Sequence, residues 1–372
     1  MCALSHKETD KIPIDMGSTH ASSIHIRAYR ALLELLGYNP ADARVKNIIG
    51  QLALVEGPVM DTLGIYTAGI WNEIIPKHPP QTINGERSFE DDIGVTWKMP
   101  ANGYYYDMVG HPLKNTGIED IEKFRWPDPA DKRRFESQDM LLDHAVRSGR
   151  ATVFGCTLYN GVFQTGNMLE GYEDFMCDIL ADSPKAELLL DKILDMKIRF
   201  WDAAIDRWSE KLDIVAEQDD LGTQLGLLIS PELYRSLIKP RHKILFAHIK
   251  RRLPGAKLFF HSCGSVRALI DDFIDAGIDI LNPIQISAAG MTPKEIKSSY
   301  GKDITLWGGG VDTQNTLASA APSKVADEVK RNIEIFAPGG GYVFSAVHNI
   351  QADVPARNII AMFDAVLKYG VS

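Results

Sequence analysis

Cysteine is scarce in this sequence: Cys2, Cys156, Cys177 and Cys263 are its four, and they are widely spaced. They make no disulfide framework, and such usage fits a reducing compartment, so a cytoplasmic protein is expected. Long apolar runs are missing as well. No window approaches the roughly 20 apolar residues of a membrane span. The opening MCALSHKETDKIPIDMG has no basic flank followed by an apolar run, so no secretory signal is read there. Positive charge is in deficit: 40 Lys and Arg against 49 Asp and Glu leave a net charge of -9. That balance argues against a general nucleic-acid binder and against a polybasic membrane anchor. Also absent is a G-x-G-x-x-G turn after an early strand, the mark of a doubly wound dinucleotide fold.

What is present is alternation. A length of 372 residues allows two or three average domains, or one large barrel with insertions. The segments 151–155, 213–217, 257–261, 278–282, 303–307 and 341–345 read as strands. Helical patterns lie at 132–149, 183–208, 231–252, 265–276, 292–300 and 322–336. An earlier strand, KIPIDMGST, precedes a helix IHIRAYRALLELLG that Ser22 or Ser23 would cap and Gly37 would close. Residues 47–80 read as short helices and connectors. From about 81 to 114, Asn-Gly turns and aromatic strand residues indicate β-hairpins, taken as an insertion. The expected fold is α/β: one TIM (β/α)8 barrel over 1–372 with a β-hairpin-containing insertion in its N-terminal third.

In such a barrel, functional groups collect past the carboxyl ends of the strands. KLFFHSCGS, 257–265, puts His261 and Cys263 there. Residues two apart in an extended segment point the same way, so imidazole and thiolate can converge on a metal such as zinc. Other strand ends supply Tyr159 and Asn160; Glu217, Asp219, Asp220 and Gln224; Asn282 and Gln285; Trp307; and His348, Asn349 and Gln351. Asp15, Ser18, Thr19 and His20 follow the first strand, either as a wall of the site or as turn and capping residues. Each of Glu217, Asp219 and Asp220 can be read as metal ligand, general base or acidic helix cap. Histidine 348 can be read as ligand, as general acid or base, or as a ring bonded to a backbone carbonyl.

HSCGS together with GIDILNPIQ, WGGGVDTQ and PGGGYVFSAVHNIQADVPARNI resembles the uroporphyrinogen decarboxylase superfamily. The resemblance implies a single TIM barrel and two possible chemistries. One is cofactor-free decarboxylation of tetrapyrrole acetate side chains. The other is methyl transfer to or from a corrinoid protein, using zinc held by an H-x-C pair and a later cysteine. The decarboxylases carry an arginine-rich R-Q-A-G-R motif near the N-terminus, whereas the matching loop here, IDMGSTHASS, contains no arginine. Bidentate recognition of carboxylates by Arg is not replaced by Ser and Thr. His261 and Cys263 match the first two zinc ligands of the methyltransferases. No cysteine follows Cys263, so His348 or Glu217 is expected to complete the shell.

The resemblance therefore implies a zinc-dependent methyltransferase that works with a corrinoid-carrying partner. An aryl methyl ether is the expected small-molecule methyl donor. Asp219, Asp220 and His348 are the candidate catalytic groups, and Asp15, Tyr159, Gln224, Asn282, Trp307 and Asn349 the candidate substrate contacts. Uroporphyrinogen decarboxylation is the alternative, and a non-catalytic corrinoid- or tetrapyrrole-binding barrel a third reading. The oligomeric state is left open, a homodimer included.

Overall fold

The computed structural model describes every residue except Glu73, Cys156, Thr157, Asp182 and Ser372. Seven parallel strands follow one another around the sheet in chain order. They are β1 (Thr67–Ile70), β2 (Ala151–Gly155), β3 (Ile214–Gln218), β4 (Lys257–His261), β5 (Ile280–Asn282), β6 (Thr305–Trp307) and β7 (Tyr342–Val343). Residues 13–15 close the curl between β7 and β1. The Phe344 N–H donates to Pro13 O at 2.9 Å and the Asp15 N–H to Phe344 O at 2.8 Å, while the Tyr66 N–H donates to Ile14 O at 2.9 Å. The result is an α/β barrel.

Two apolar layers follow from strand alternation. Val153, Ile214, Ala216, Phe259, Ile280, Trp307 and Val343 fill the barrel interior, and Leu4, from the short turn Ala3–Ser5, joins them. The intervening residues, such as Val215, Leu258, Phe260, Leu281 and Leu306, face the surrounding helices. Because side chains alternate along a strand, Gln218 and His261 share the inner face with Ala216 and Phe259. Glu217 is placed outside by the same rule.

Most expected elements appear within a few residues of their reading. The helix Pro184–Trp208 starts at a Ser183 cap whose side chain accepts the Lys185 N–H, with Pro184 at its first position. Residues 81–114 do form antiparallel strands, Gln81–Ile83, Glu86–Glu90, Thr96–Met99 and Asp107–Gly110, in one four-stranded sheet. Two readings are corrected and one gap is filled. Residues 47–80 contain β1, whose four residues TAGI are too few to show a period. Residues 156–183, unassigned from the pattern, hold the helices Val162–Glu170 and Tyr172–Leu180. The first helix, Ile26–Leu35, is capped by the His25 side chain, which accepts the Arg27 N–H, and not by Ser22 or Ser23. Ser22 instead bonds Thr19 within the preceding loop.

Candidate active site at the barrel mouth

His261 is the last residue of β4 and faces inward. Its Nδ1 meets Asn282 Oδ1 at 2.6 Å, and Asn282 Nδ2 donates to the Trp307 carbonyl at 3.0 Å. The second bond fixes which end of the amide faces the ring. Oδ1 can only accept, so Nδ1 carries the proton and Nε2 is turned to the mouth. Asn282 is thus an orienting group for His261 and does not itself line the cavity.

Two residues on, Cys263 enters the same space. Its loop is fixed by the Gly264 N–H, which donates to Gln285 Oε1 at 2.7 Å, and by the Cys263 N–H, which donates to Asp220 Oδ1 at 3.0 Å. Gly264 has φ +90° and a Cβ there would lie 2.6 Å from the Gly222 carbonyl carbon, so a side chain is excluded on both counts. His348, in the loop after β7, comes over the His261 ring edge-on with centroids 5.6 Å apart. One ligand atom each from His261, Cys263 and His348 lie within 4.8 Å of one another. Burial, and then the adjacent Asp220 charge, push the Cys263 thiol up, and burial followed by His261 pushes His348 down. A neutral imidazole is a ready ligand, and a thiol held protonated is one that a cation would convert to thiolate. Two nitrogens and one sulfur fit zinc, and three protein ligands leave a position for substrate.

The remaining acids divide by strand alternation. Asp220 stays at the mouth, with Oδ1 3.4 Å from His261 Nε2 and Oδ2 accepting from Gln164 Nε2 at 2.8 Å. Burial raises its pKa, but the His261 imidazole and the donors of Cys263 outweigh this and hold it well below the carboxylate range. It is therefore ionised at neutral pH and can accept a hydrogen bond but not donate one. Asp219 does not reach the mouth. Its carboxylate accepts the Phe163 and Gln164 N–H groups, both at 2.8 Å, at the start of the helix Val162–Glu170, and it also bonds His242 Nε2 at 3.0 Å. Of its three readings, the helix cap is the one its geometry supports. Glu217 points to the helices and cannot complete the ligand set. It accepts from Trp201 Nε1 at 2.6 Å and pairs with Lys197 at 3.0 Å, both ends of the pair being 2% exposed or less.

A cavity of about 270 Å³ opens beside the triad. Tyr159 and Asn349 line it, as do His20, Asn160, Asp220, His261 and His348. Tyr159 sits at φ +60°, uncommon for a bulky residue, and its hydroxyl bonds Asp92 at 2.8 Å. Besides Asn282, three expected contacts lie elsewhere. Asp15 and Trp307 are joined inside the barrel, Trp307 Nε1 donating to Asp15 Oδ2 at 2.9 Å, while Asp15 Oδ1 accepts from Thr67 at 2.6 Å. Gln224 is exposed at the rim, bonded to Gln314 and Gln285. Cys156 lies outside the described residues. Asn47, Asp91, Trp97, Met168 and Gln218 also line the cavity and were not singled out from the sequence. Gln218 could have been found by counting in twos from Ala216. Asp91 and Trp97 come from the four-stranded sheet, for which no local pattern points to the mouth.

The model of the family described as "Uroporphyrinogen decarboxylase (URO-D)" matches residues 93–369. The chain belongs to the uroporphyrinogen decarboxylase family. Among its relatives, the uroporphyrinogen decarboxylase of Pseudoalteromonas atlantica is 25% identical over 76% of this chain and 77% of its own length. That of Proteus mirabilis is 24% identical over 75% and 76%. Among solved structures, a methyltransferase from Methanosarcina mazei superposes with a TM-score of 0.65 at 18% identity, over 99% of this chain and 97% of its own. That likeness supports the barrel. No helix among the described residues is long and apolar enough to cross a membrane.

Proposed function

We propose that this member of the uroporphyrinogen decarboxylase family is a zinc-dependent methyltransferase acting between a small methyl donor and a corrinoid protein. The observation that carries the reading is the convergence of His261, Cys263 and His348 beside the cavity. Such a donor set has no part in cofactor-free decarboxylation. When bound there, zinc supplies a Lewis acid that favours negative charge on a leaving oxygen.

The cavity argues in the same direction. Its described lining contains Asp91 and Asp220 but no Lys or Arg. A tetrapyrrole with several carboxylates requires cationic partners when desolvated. A volume of about 270 Å³ is also at the lower edge of ordinary small-ligand pockets, which run from roughly 300 to 1,000 Å³. An aryl methyl ether suits the Tyr159 and Trp97 rings and the apolar Ile74, Leu52 and Met168. In the transfer, the methyl carbon–oxygen bond breaks with its electron pair on oxygen. The new carbon–cobalt bond takes its pair from the reduced cobalt of the partner. Asp220 accepts from Gln164 Nε2 and the Cys263 amide beside the triad, while Asn282 keeps Nδ1 of His261 as the donor and turns Nε2 to the mouth.

The test supplies the purified enzyme with a reduced corrinoid protein and a panel of aryl methyl ethers. Methylcobalt formation with release of the phenol is expected. Failure with every ether, together with conversion of uroporphyrinogen to coproporphyrinogen, would establish the decarboxylase that the relatives' names suggest.

A further inference from the structure

His348 stands at the end of a hydrogen-bond chain that begins in the segment joining the last two strands of the four-stranded sheet. The Tyr105 hydroxyl donates to Gln351 Oε1. Gln351 Nε2 in turn donates to Asn349 Oδ1 at 2.9 Å and to the Asn349 carbonyl at 3.2 Å. Asn349 Oδ1 also receives Nδ1 of His348. Each direction follows from the one before. A Gln351 amide that donates to Asn349 presents its oxygen to Tyr105, and an Asn349 oxygen has only acceptor capacity for the ring. His348 Nδ1 must then carry its proton, and Nε2 keeps its lone pair.

The far end of the chain is equally fixed. Tyr105 packs edge-on against His25, centroids 5.4 Å apart, and the neighbouring Tyr104 carbonyl bonds His25 Nε2 at 3.1 Å. The Tyr106 N–H donates to Ile49 O at 3.0 Å. The segment before the strand Asp107–Gly110 is thereby pinned to the body of the barrel, 246 residues in sequence from the glutamine it contacts.

We propose that Tyr105, Gln351 and Asn349 form a positioning relay that holds His348 in its Nδ1-protonated tautomer and leaves Nε2 as the donor atom beside His261 and Cys263. The inference deepens the zinc reading and rests on it for the role of Nε2. The relay makes the four-stranded sheet a working part of the site. It gives the sheet a job that a cover over the barrel would not have. It also repeats, with a different amide, the arrangement in which Asn282 fixes His261. Partners of this kind around a metal typically contribute 10–100-fold to its affinity.

The test reads tautomer and metal separately. Imidazole 15N shifts of the metal-free protein, assigned with a His348→Gln variant, are compared in wild type, Asn349→Ala, Asn349→Asp and Tyr105→Phe. Zinc is then titrated into each. The wild type is expected to show Nδ1-protonated His348. Asn349→Ala loses that preference and binds zinc about 10–100-fold more weakly. Asn349→Asp, which retains the acceptor, restores both, and Tyr105→Phe gives a smaller loss of the same sign. Unchanged tautomer and unchanged zinc affinity in Asn349→Ala would overturn the relay while leaving the zinc reading intact. A tautomer that responds as expected in a protein that takes up no zinc would uphold the relay and sink the zinc reading.

Discussion

Residue by residue, burial decides which acids act and which hold the fold. Glu217 and Lys197 form a desolvated pair between β3 and the helix Pro184–Trp208. Breaking such a pair from one side leaves an uncompensated buried charge, at about 3–5 kcal/mol. Lys197→Met is therefore expected to lose that much in denaturant unfolding, with zinc uptake unchanged once the protein is folded. A variant as stable as the wild type would contradict the desolvated pair. Asp91 behaves differently. Burial, opposed by Trp97 and the Val95 amide, lifts its pKa from the ordinary aspartate value to about 6. A folded-state pKa above the unfolded one favours the protonated fold. The ionised carboxylate thus costs stability above pH 6, and the cost fades as pH falls through 6 towards the unfolded value near 4. Between pH 7 and pH 4, wild type should gain about 2 kcal/mol relative to Asp91→Asn. A difference between the two proteins that does not vary with pH would show that Asp91 does not titrate in this range.

At the scale of elements, the end of β3 meets the start of a helix so closely that a single glycine governs the contact. A Cβ on Gly161 would lie 2.0 Å from Gln218 O and 2.2 Å from Asp219 Cγ. Only glycine allows the Phe163 and Gln164 amides to reach the Asp219 cap, and the same approach sets Gln164 against Asp220. Gly161→Ala is expected to cost about 1–3 kcal/mol, the usual price of overpacking, and to weaken zinc binding by shifting Asp220. Full stability by thermal unfolding would contradict the contact. This junction also shows where the sequence could not be read. The H-x-C end of β4 was legible because period two and ligand chemistry are both local. Asp219 and Asp220 are neighbours in sequence, and only the helix Val162–Glu170, itself without a strong apolar period, separates a cap from a site residue. Strand β1 and the role of Asp91 and Trp97 were illegible for a similar reason. Their meaning depends on contacts made far along the chain.

For the whole molecule, the barrel was legible because alternating strands and helices recur along the last two-thirds of the chain. Strand order and closure agree with that pattern. The first strand was also found, though it makes closing bonds at residues 13–15 rather than a ladder. Family membership joins two chemistries, and the fold does not choose between them. The choice rests on the mouth: His261, Cys263 and His348 together, in a cavity whose described lining has acids and rings but no Lys or Arg. The measurement that tests this most directly is the metal content of protein purified without chelator, wild type beside Cys263→Ala. One zinc per chain in the wild type, lost in a variant that remains folded, is the predicted result. No zinc in either protein would contradict the account.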